Sequence, residues 1–133
     1  EDAGKREADY NEIRLAEIYY SLAECKFKAN DVDGAAKLLN AVRKRNYPQD
    51  TWAEYLYKPE GTVTLTQDEL YDEWGREFLA EGRRRTDLIR WGLYCTEEWW
   101  DKKPDADSHW DIFPIPRDMM GADHTLKQNP GYN

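Results

Sequence analysis

The sequence predicts an all-α protein: a helical hairpin, further helices and a long irregular C-terminal tail. Three observations indicate this class. Apolar residues recur at helical spacing near the start of the chain, a capping motif before an apolar run begins another helix at Thr66, and prolines and glycines crowd the last part. The 133 residues suit one domain that is large enough to bury a core.

The hairpin is predicted over residues 7–47. Its first helix, at about 7–29, carries an apolar stripe of Leu15, Ile18, Tyr19, Leu22, Ala23 and Phe27. A short turn at Asn30–Gly34 leads into a second helix at about 34–45, which Pro48 ends. The apolar face of this second helix consists of Ala35, Leu38, Leu39 and Val42. Because the connection is short, the two helices should lie antiparallel and side by side.

The hairpin matches one tetratricopeptide unit. The matching residues are Leu22, Ala23, Phe27, Asp31, Ala35, Leu39 and Val42, and the closing proline comes one residue late, at Pro48. Only one unit is visible, and stacked repeats bury their faces against neighbours. The hairpin is therefore expected to pack on helices outside this chain or later in it.

The rest of the chain divides into three segments. A connection at 48–65 holds Trp52, Tyr55 and Tyr57. Helices are predicted over 66–92. The first of these has a capping box of Thr66 and Glu69, an apolar side formed by Leu70, Trp74, Phe78 and Leu79, and an end at Gly82. A short helix at Thr86–Trp91 follows, closed by Gly92.

Residues 93–133 are predicted to form an irregular tail without helical periodicity. Asp111–Pro116 should be extended because each proline disfavours the α conformation in the residue before it.

Charge and composition exclude several classes of partner. The net charge of −8 disfavours nucleic acid and anionic membranes, both of which attract basic surfaces. No apolar run approaches a membrane span. The N-terminus lacks the features of a signal peptide, which suggests a mature product or a fragment. Cys25 and Cys95 are expected to be two buried thiols rather than a disulfide.

The densest polar cluster lies between the third and fourth predicted helices. Its members are Glu77, Glu81, Arg83, Arg84, Arg85, Asp87 and Arg90. Glu77 and Glu81 have the spacing of a glycosidase-like pair, but the neighbouring guanidinium groups would lower their pKa values rather than raise one. We therefore predict a largely buried structural ion-pair cluster. Clamping of a phosphate or sulfated ligand by Arg83–Arg85 is the alternative.

No metal, cofactor or catalytic site is predicted. His109 and His124 lack partners at zinc spacing. Asp101, Asp105 and Asp107 resemble the start of a calcium loop whose glycine and distal glutamate are missing. Phosphate-binding, dinucleotide-binding and nucleophile motifs are absent from the sequence.

Aromatic side chains in the loops are the candidate ligand contacts. Trp99 and Trp100 are adjacent within an acidic stretch, and Trp52, Tyr55 and Tyr57 lie in the 48–65 connection. Exposed rings flanked by carboxylates suit sugars, because C–H faces stack on the ring while hydroxyls bond to the acids. The alternative is that these rings only cover the irregular tail.

Four blocks, taken in order, resemble the SusD/RagB family. They are Arg14–Glu24, Leu39–Arg45, Glu77–Gly92, and the last segment with Phe113–Pro116 and Leu126–Tyr132. The resemblance implies the C-terminal region of a longer, lipid-anchored protein at the cell-surface face of the outer membrane. Such proteins bind oligosaccharides or polysaccharides without cleaving them and act with a SusC-like TonB-dependent transporter. The resemblance further implies that any ligand contacts in this part lie in the divergent loops Gln49–Leu65 and Cys95–Trp110. It also implies that the rest of the polypeptide lies N-terminal to this chain. The competing interpretation is a tetratricopeptide-like protein-interaction adaptor.

Overall fold

The computed structural model describes residues 12–132, and within that range the fold is helical. Its six α-helices are α1 Leu15–Lys28, α2 Val32–Arg43, α3 Trp52–Tyr55, α4 Gln67–Glu77, α5 Arg84–Arg90 and α6 Arg117–Ala122. Within the described residues 12–132, β-pairing is limited to two isolated bridges, Tyr57 with Val63 and Trp99 with Lys102. The all-α prediction is confirmed. The chain divides into two compact units, one up to Arg76 and one from Glu77.

Helices α1 and α2 form the predicted antiparallel pair. The Asp31 side chain caps α2, since its carboxylate accepts a hydrogen bond from the Gly34 backbone N–H at 2.9 Å. Buried alanines line both helices, among them Ala16, Ala23, Ala35 and Ala36. The part of the first predicted helix before residue 12 lies outside the described residues.

The buried face of α1 differs from the predicted stripe. Ala16, Tyr20, Ala23 and Glu24 are buried, whereas Leu15, Ile18 and Leu22 are largely exposed. Of the predicted stripe, Ala23 is buried and Tyr19 and Phe27 are half-buried, whereas its three large aliphatic residues face away from the core of this unit. The sequence pattern gave the correct period and the wrong phase, because it weighted bulky side chains over small ones.

The 48–65 connection is part of the core of the first unit. A 3-10 helix at Gln49–Thr51 and α3 replace the predicted loop, and Leu56, Tyr57 and Leu65 are buried. The Asn40 side chain holds the Tyr57 backbone in place: its Nδ2 donates to the Tyr57 carbonyl, and its Oδ1 accepts from the Tyr57 N–H, each at 2.8 Å.

A buried polar network, not anticipated from the sequence, lies within the first unit. Glu73 accepts a hydrogen bond from the Tyr20 hydroxyl at 2.7 Å and forms an ion pair with Arg43. Arg76 Nε donates to the same Glu73 carboxylate at 2.9 Å. These partners come from α1, α2 and α4, so one carboxylate joins three helices.

Helix α4 starts as predicted and ends early. Thr66 Oγ1 accepts from the Glu69 N–H at 3.1 Å, but the Glu69 carboxylate bonds to the Tyr57 hydroxyl and to Arg76. The helix stops at Glu77 rather than at Gly82. Ala80 adopts a positive φ of 64°, and the exposed Leu79 lies outside the helix.

The second unit contains α5 and most of the predicted tail. Helix α5 is closed by Gly92, whose φ of 74° lies in the left-handed region that favours glycine. The prediction of a tail without helices was wrong: His109–Asp111 forms a 3-10 helix, and α6 follows Pro116. Pro116 precedes the first helical residue, where its missing N–H breaks no hydrogen bond of the helix.

Candidate functional site

A tight turn in the second unit presents Trp100. The Trp99 N–H donates to the Lys102 carbonyl at 2.8 Å, and the Lys102 N–H donates back to Trp99 at 3.2 Å. This pair closes a two-residue turn over Trp100 and Asp101. The Trp100 residue is 96% exposed. Tryptophan is usually well buried, so this exposure is unusual. It leaves both faces of the indole in solvent.

Lys102 fixes the base of the turn. Its ammonium nitrogen lies 5.1 Å from the centre of the Trp99 ring and 6.0 Å from that of Tyr94. The same nitrogen pairs with the Asp105 carboxylate at 2.7 Å. Trp99 is therefore half-buried against Lys102, and Trp100 is the member of the adjacent pair that reaches solvent.

Carboxylates surround the turn. Glu97, Glu98 and Asp101 are exposed, and Lys103 pairs with Glu98. An exposed indole beside several acceptor oxygens provides the two kinds of contact that a sugar ring makes, stacking and hydrogen bonding.

A second aromatic cluster, centred on Trp110, was not predicted as a site. Trp110 is 48% exposed and packs edge-on against Tyr132, with ring centres 5.8 Å apart. His109 packs against both rings. The Arg85 guanidinium donates to the Trp110 carbonyl at 2.6 Å. No local sequence signal reveals this cluster, because Arg85 and Tyr132 are distant from Trp110 along the chain.

The aromatic residues of the 48–65 connection differ in their exposure to solvent. Trp52 is half-buried, and its Nε1 donates to the Tyr47 carbonyl at 2.9 Å. Tyr55 stacks on Tyr47 with ring centres 4.7 Å apart and keeps one side in solvent. Trp52 and Tyr55 thus remain candidate contacts, although both rings already pack within the first unit.

Tyr57 is not a ligand contact, and its prediction as one was wrong. Its relative exposure is 0%. The hydroxyl donates to Glu69 at 2.8 Å and accepts from Arg43 at 3.2 Å. Burial, reinforced by the Glu73 charge, raises the pKa of this phenol well above its ordinary value. The sequence spacing of Tyr55 and Tyr57 does not reveal that the Tyr57 hydroxyl bonds within the buried network.

The predicted Arg/Asp/Glu cluster surrounds a buried Asp87. Its two carboxylate oxygens accept from Arg83 Nε at 3.1 Å and Arg90 Nε at 3.0 Å. The guanidinium groups are less buried than predicted, since Arg83, Arg84 and Arg85 are half-buried and Arg90 is exposed. Glu77 is half-buried and Glu81 exposed.

Aromatic rings also engage this cluster. The Arg83 guanidinium lies 4.7 Å from the Phe78 ring centre, and Arg84 lies 5.7 Å from Trp91. Arg85 lies 4.0 Å from Phe113 and 5.0 Å from Tyr94. The role of the guanidinium groups within this unit thus includes cation–π contact, which the charge pattern alone did not indicate.

The aspartates that resemble a calcium loop have other partners. Asp105 pairs with Lys102, and Asp107 accepts from the His109 N–H at 2.9 Å. That bond, followed by one from the His109 ring, lowers the pKa of Asp107. Among residues 12–132, no group of three or more His, Cys, Asp or Glu side chains is arranged to hold a metal ion.

The cysteines differ in their surroundings. Both are free thiols; Cys25 is exposed and Cys95 buried, so the prediction of two buried thiols was wrong for Cys25. Separately, no helix in the described part of the chain has the length and apolar character to cross a bilayer.

Comparison with known proteins identifies the family. The SusD family model matches residues 1–132. The starch-binding protein SusD of Bacteroides thetaiotaomicron is 37% identical over 132 residues, an alignment that covers 90% of this chain and 21% of that relative. The SusD-like protein P25 of Formosa agariphila is 36% identical over 82 residues, covering 61% of this chain and 15% of that relative. The chain therefore spans about a fifth of the length of the first relative. It belongs to the SusD family.

Proposed function

We propose that this chain is part of a glycan-binding protein that serves nutrient uptake, and that Trp100 stacks on a sugar ring of the bound chain. The observation that carries the proposal is the closed turn that leaves this indole 96% exposed. Membership of the SusD family supports it, as does 37% identity to a protein named for starch binding.

The geometry of the turn favours this role. The backbone pair between Trp99 and Lys102 and the ion pair of Lys102 with Asp105 fix the turn before any ligand arrives. With the backbone of the turn fixed, stacking orders only the two side-chain torsions of the indole, so the loss of conformational entropy on binding is small. Trp110, held edge-on by Tyr132, is a second rigid ring in the same unit.

The proposed role is binding without catalysis. Within this proposal the whole protein is lipid-anchored at the outer membrane and passes its glycan to a SusC-like TonB-dependent transporter. Family membership is what supports these two points. The lipid anchor and the transporter partner are independent of the stacking role of Trp100, which is testable by itself.

Affinity electrophoresis of the whole protein tests the stacking role. The protein is run through gels that contain starch, pullulan, xylan or galactomannan, beside the Trp100→Ala variant. We expect at least one polysaccharide to retard the wild type and Trp100→Ala to abolish most of that retardation. Leu79→Ala is the matched control, since Leu79 is also largely exposed in the second unit. Equal retardation of wild type and Trp100→Ala would contradict the role of this ring.

The adaptor remains the second candidate because of one observation. Leu15, Ile18 and Leu22 form an exposed apolar face along α1, and such faces often dock a helix of another chain. Failure of every polysaccharide to retard the wild-type protein would favour the adaptor over the glycan-binding proposal.

A further inference from the structure

The first unit contains a cleft between the end of α1 and the start of α4. Its volume is about 250 Å³. Ligand pockets for drug-sized molecules run from roughly 300 to 1,000 Å³, so this cleft suits a single small ring. It lies in residues that the Trp100 turn does not include, and it needs its own explanation.

The floor of the cleft is apolar and partly aromatic. Phe27 at the end of α1 and Tyr71 on α4 are half-buried, and Leu70, which also lines the cleft, is fully buried. Aromatic faces of this kind stack on the C–H face of a pyranose ring.

The rim of the cleft is polar and rich in amide groups. Gln67 Nε2 donates to the Tyr71 hydroxyl at 2.9 Å, which fixes both side chains on one turn of α4. The Asn30 side chain adds a second amide, from a residue with a left-handed φ of 62° that asparagine tolerates. Amides and a phenol donate and accept, as sugar hydroxyls require.

The charges in the cleft are balanced. The Glu24 residue is only 5% exposed and lines the cleft, and its carboxylate pairs with Lys28 at 2.8 Å. A buried carboxylate with its counter-charge in place does not require a charged ligand.

We infer that this cleft is a second sugar site, which takes one neutral glycosyl unit by stacking on Tyr71 and Phe27 and by hydrogen bonding to Gln67 and Asn30. The inference rests on the proposed glycan-binding function and adds to it a site with a different architecture. The Trp100 turn presents a single ring to solvent, whereas the cleft encloses one sugar ring, so the two sites should respond separately to mutation.

The test uses the whole protein with Trp100→Ala, which removes the proposed turn contact. Glucose, galactose, mannose and xylose are each titrated and followed by saturation-transfer NMR. We expect at least one sugar to bind in this background and Tyr71→Ala to weaken it by about tenfold, the scale of one lost stacking contact. Gln67→Ala should weaken it less, and Tyr71→Phe, which keeps the ring, should retain most of the binding.

Asp68→Asn is the matched control, because Asp68 is exposed on α4 and does not line the cleft. Thermal melts show whether each variant is folded; if Tyr71→Ala is not, Gln67→Ala decides. The inference is overturned if none of the four sugars binds, or if the folded Tyr71→Ala and Gln67→Ala variants bind like Asp68→Asn. Loss of polysaccharide retardation in Trp100→Ala together with that second result would leave the proposed function standing and remove the second site.

Discussion

Glu73 is a buried carboxylate with three partners inside the first unit. Tyr20, Arg43 and Arg76 all donate to it, and Arg43 is itself buried. Bringing such a pair out of water is unfavourable, so its net contribution to stability is small, but removing Arg43 leaves Glu73 with only the solvent-exposed Arg76 as counter-charge. The network therefore makes this part of the protein sensitive to single substitutions.

We expect Arg43→Ala to lower the free energy of unfolding by about 3–5 kcal/mol, since Glu73 would lose its buried counter-charge. Urea denaturation followed by tryptophan fluorescence measures the change. Lys37→Ala is the control on the same helix, because Lys37 is exposed and such substitutions change stability by less than about 0.5 kcal/mol. Similar midpoints for the two variants would refute the central role of the Arg43–Glu73 pair.

Cys95 has an environment that keeps its thiol protonated. Burial, followed by the hydrogen bond to Asp111, raises the pKa of Cys95 to about 11. The unfolded thiol has a pKa of about 8.5. Because the folded thiol holds its proton more tightly, its contribution to stability is complete below about pH 8.5 and is lost as the pH rises towards 11.

This difference predicts slow alkylation of Cys95 in the folded protein. The thiolate is the reactive form, so at about pH 8 iodoacetamide should label Cys95 readily in urea and barely in native buffer. Peptide mapping by mass spectrometry identifies the labelled residue, and a Cys25→Ser background removes labelling of the exposed Cys25. Equal labelling rates with and without urea would be inconsistent with a buried, protonated Cys95.

At the scale of single elements, helix starts were easier to predict than helix faces or ends. The Thr66 cap follows from a local pattern, and the structure has it. The phase of α1 does not follow, because the face it buries is rich in alanine and includes the polar end of Tyr20. The end of α4 was also misplaced, since Ala80 takes a positive φ that sequence rules assign to glycine.

The connection at 48–65 depends on close approach of its own backbone at Gly61. A Cβ at this position would lie 2.2 Å from the Leu56 carbonyl oxygen, a clash that no rotamer relieves. We expect Gly61→Ala to destabilise the protein by roughly 2–3 kcal/mol through forced backbone movement. Thermal and urea unfolding measure it.

Gly121→Ala is the matched control for Gly61→Ala. A Cβ at Gly121 meets nothing within 4 Å, and the residue lies in α6. Alanine favours helix over glycine by up to about 1 kcal/mol, so this variant should be neutral or slightly more stable. An unchanged midpoint for Gly61→Ala would show that the connection accommodates the methyl group.

At the scale of the whole molecule, the fold class and the helical hairpin were predictable because both rest on periodicity and local turn chemistry. The Arg43–Glu73 network and the Trp110 cluster were not, because each joins residues that are far apart in the sequence. The candidate site divides in the same way. An exposed ring in the Trp99–Trp100 pair was predictable from its acidic stretch, but which of the two is exposed was not. The burial of Tyr57 depends on Asn40 and Glu69, which belong to other elements.

The net charge of −8 bears on the kind of glycan that is bound. Stacking on a neutral sugar involves no ion pair, so we expect affinity for the retarding polysaccharide to change less than about twofold between roughly 0.05 and 0.5 M NaCl. Isothermal titration calorimetry measures it, with dextran and dextran sulfate as a neutral and anionic comparison. A drop of about tenfold with salt would instead favour the alternative in which Arg83–Arg85 clamp a sulfated ligand.

The isolation of Trp100 at the tip of its turn has a consequence for how such proteins diversify. Its indole is almost entirely in solvent, while Lys102 and Asp105 hold the turn from below. Substitution at the tip therefore leaves the free energy of unfolding nearly unchanged. Under the stacking role proposed for Trp100, single codon changes at this position would alter the preferred sugar without compensating mutations elsewhere in the unit.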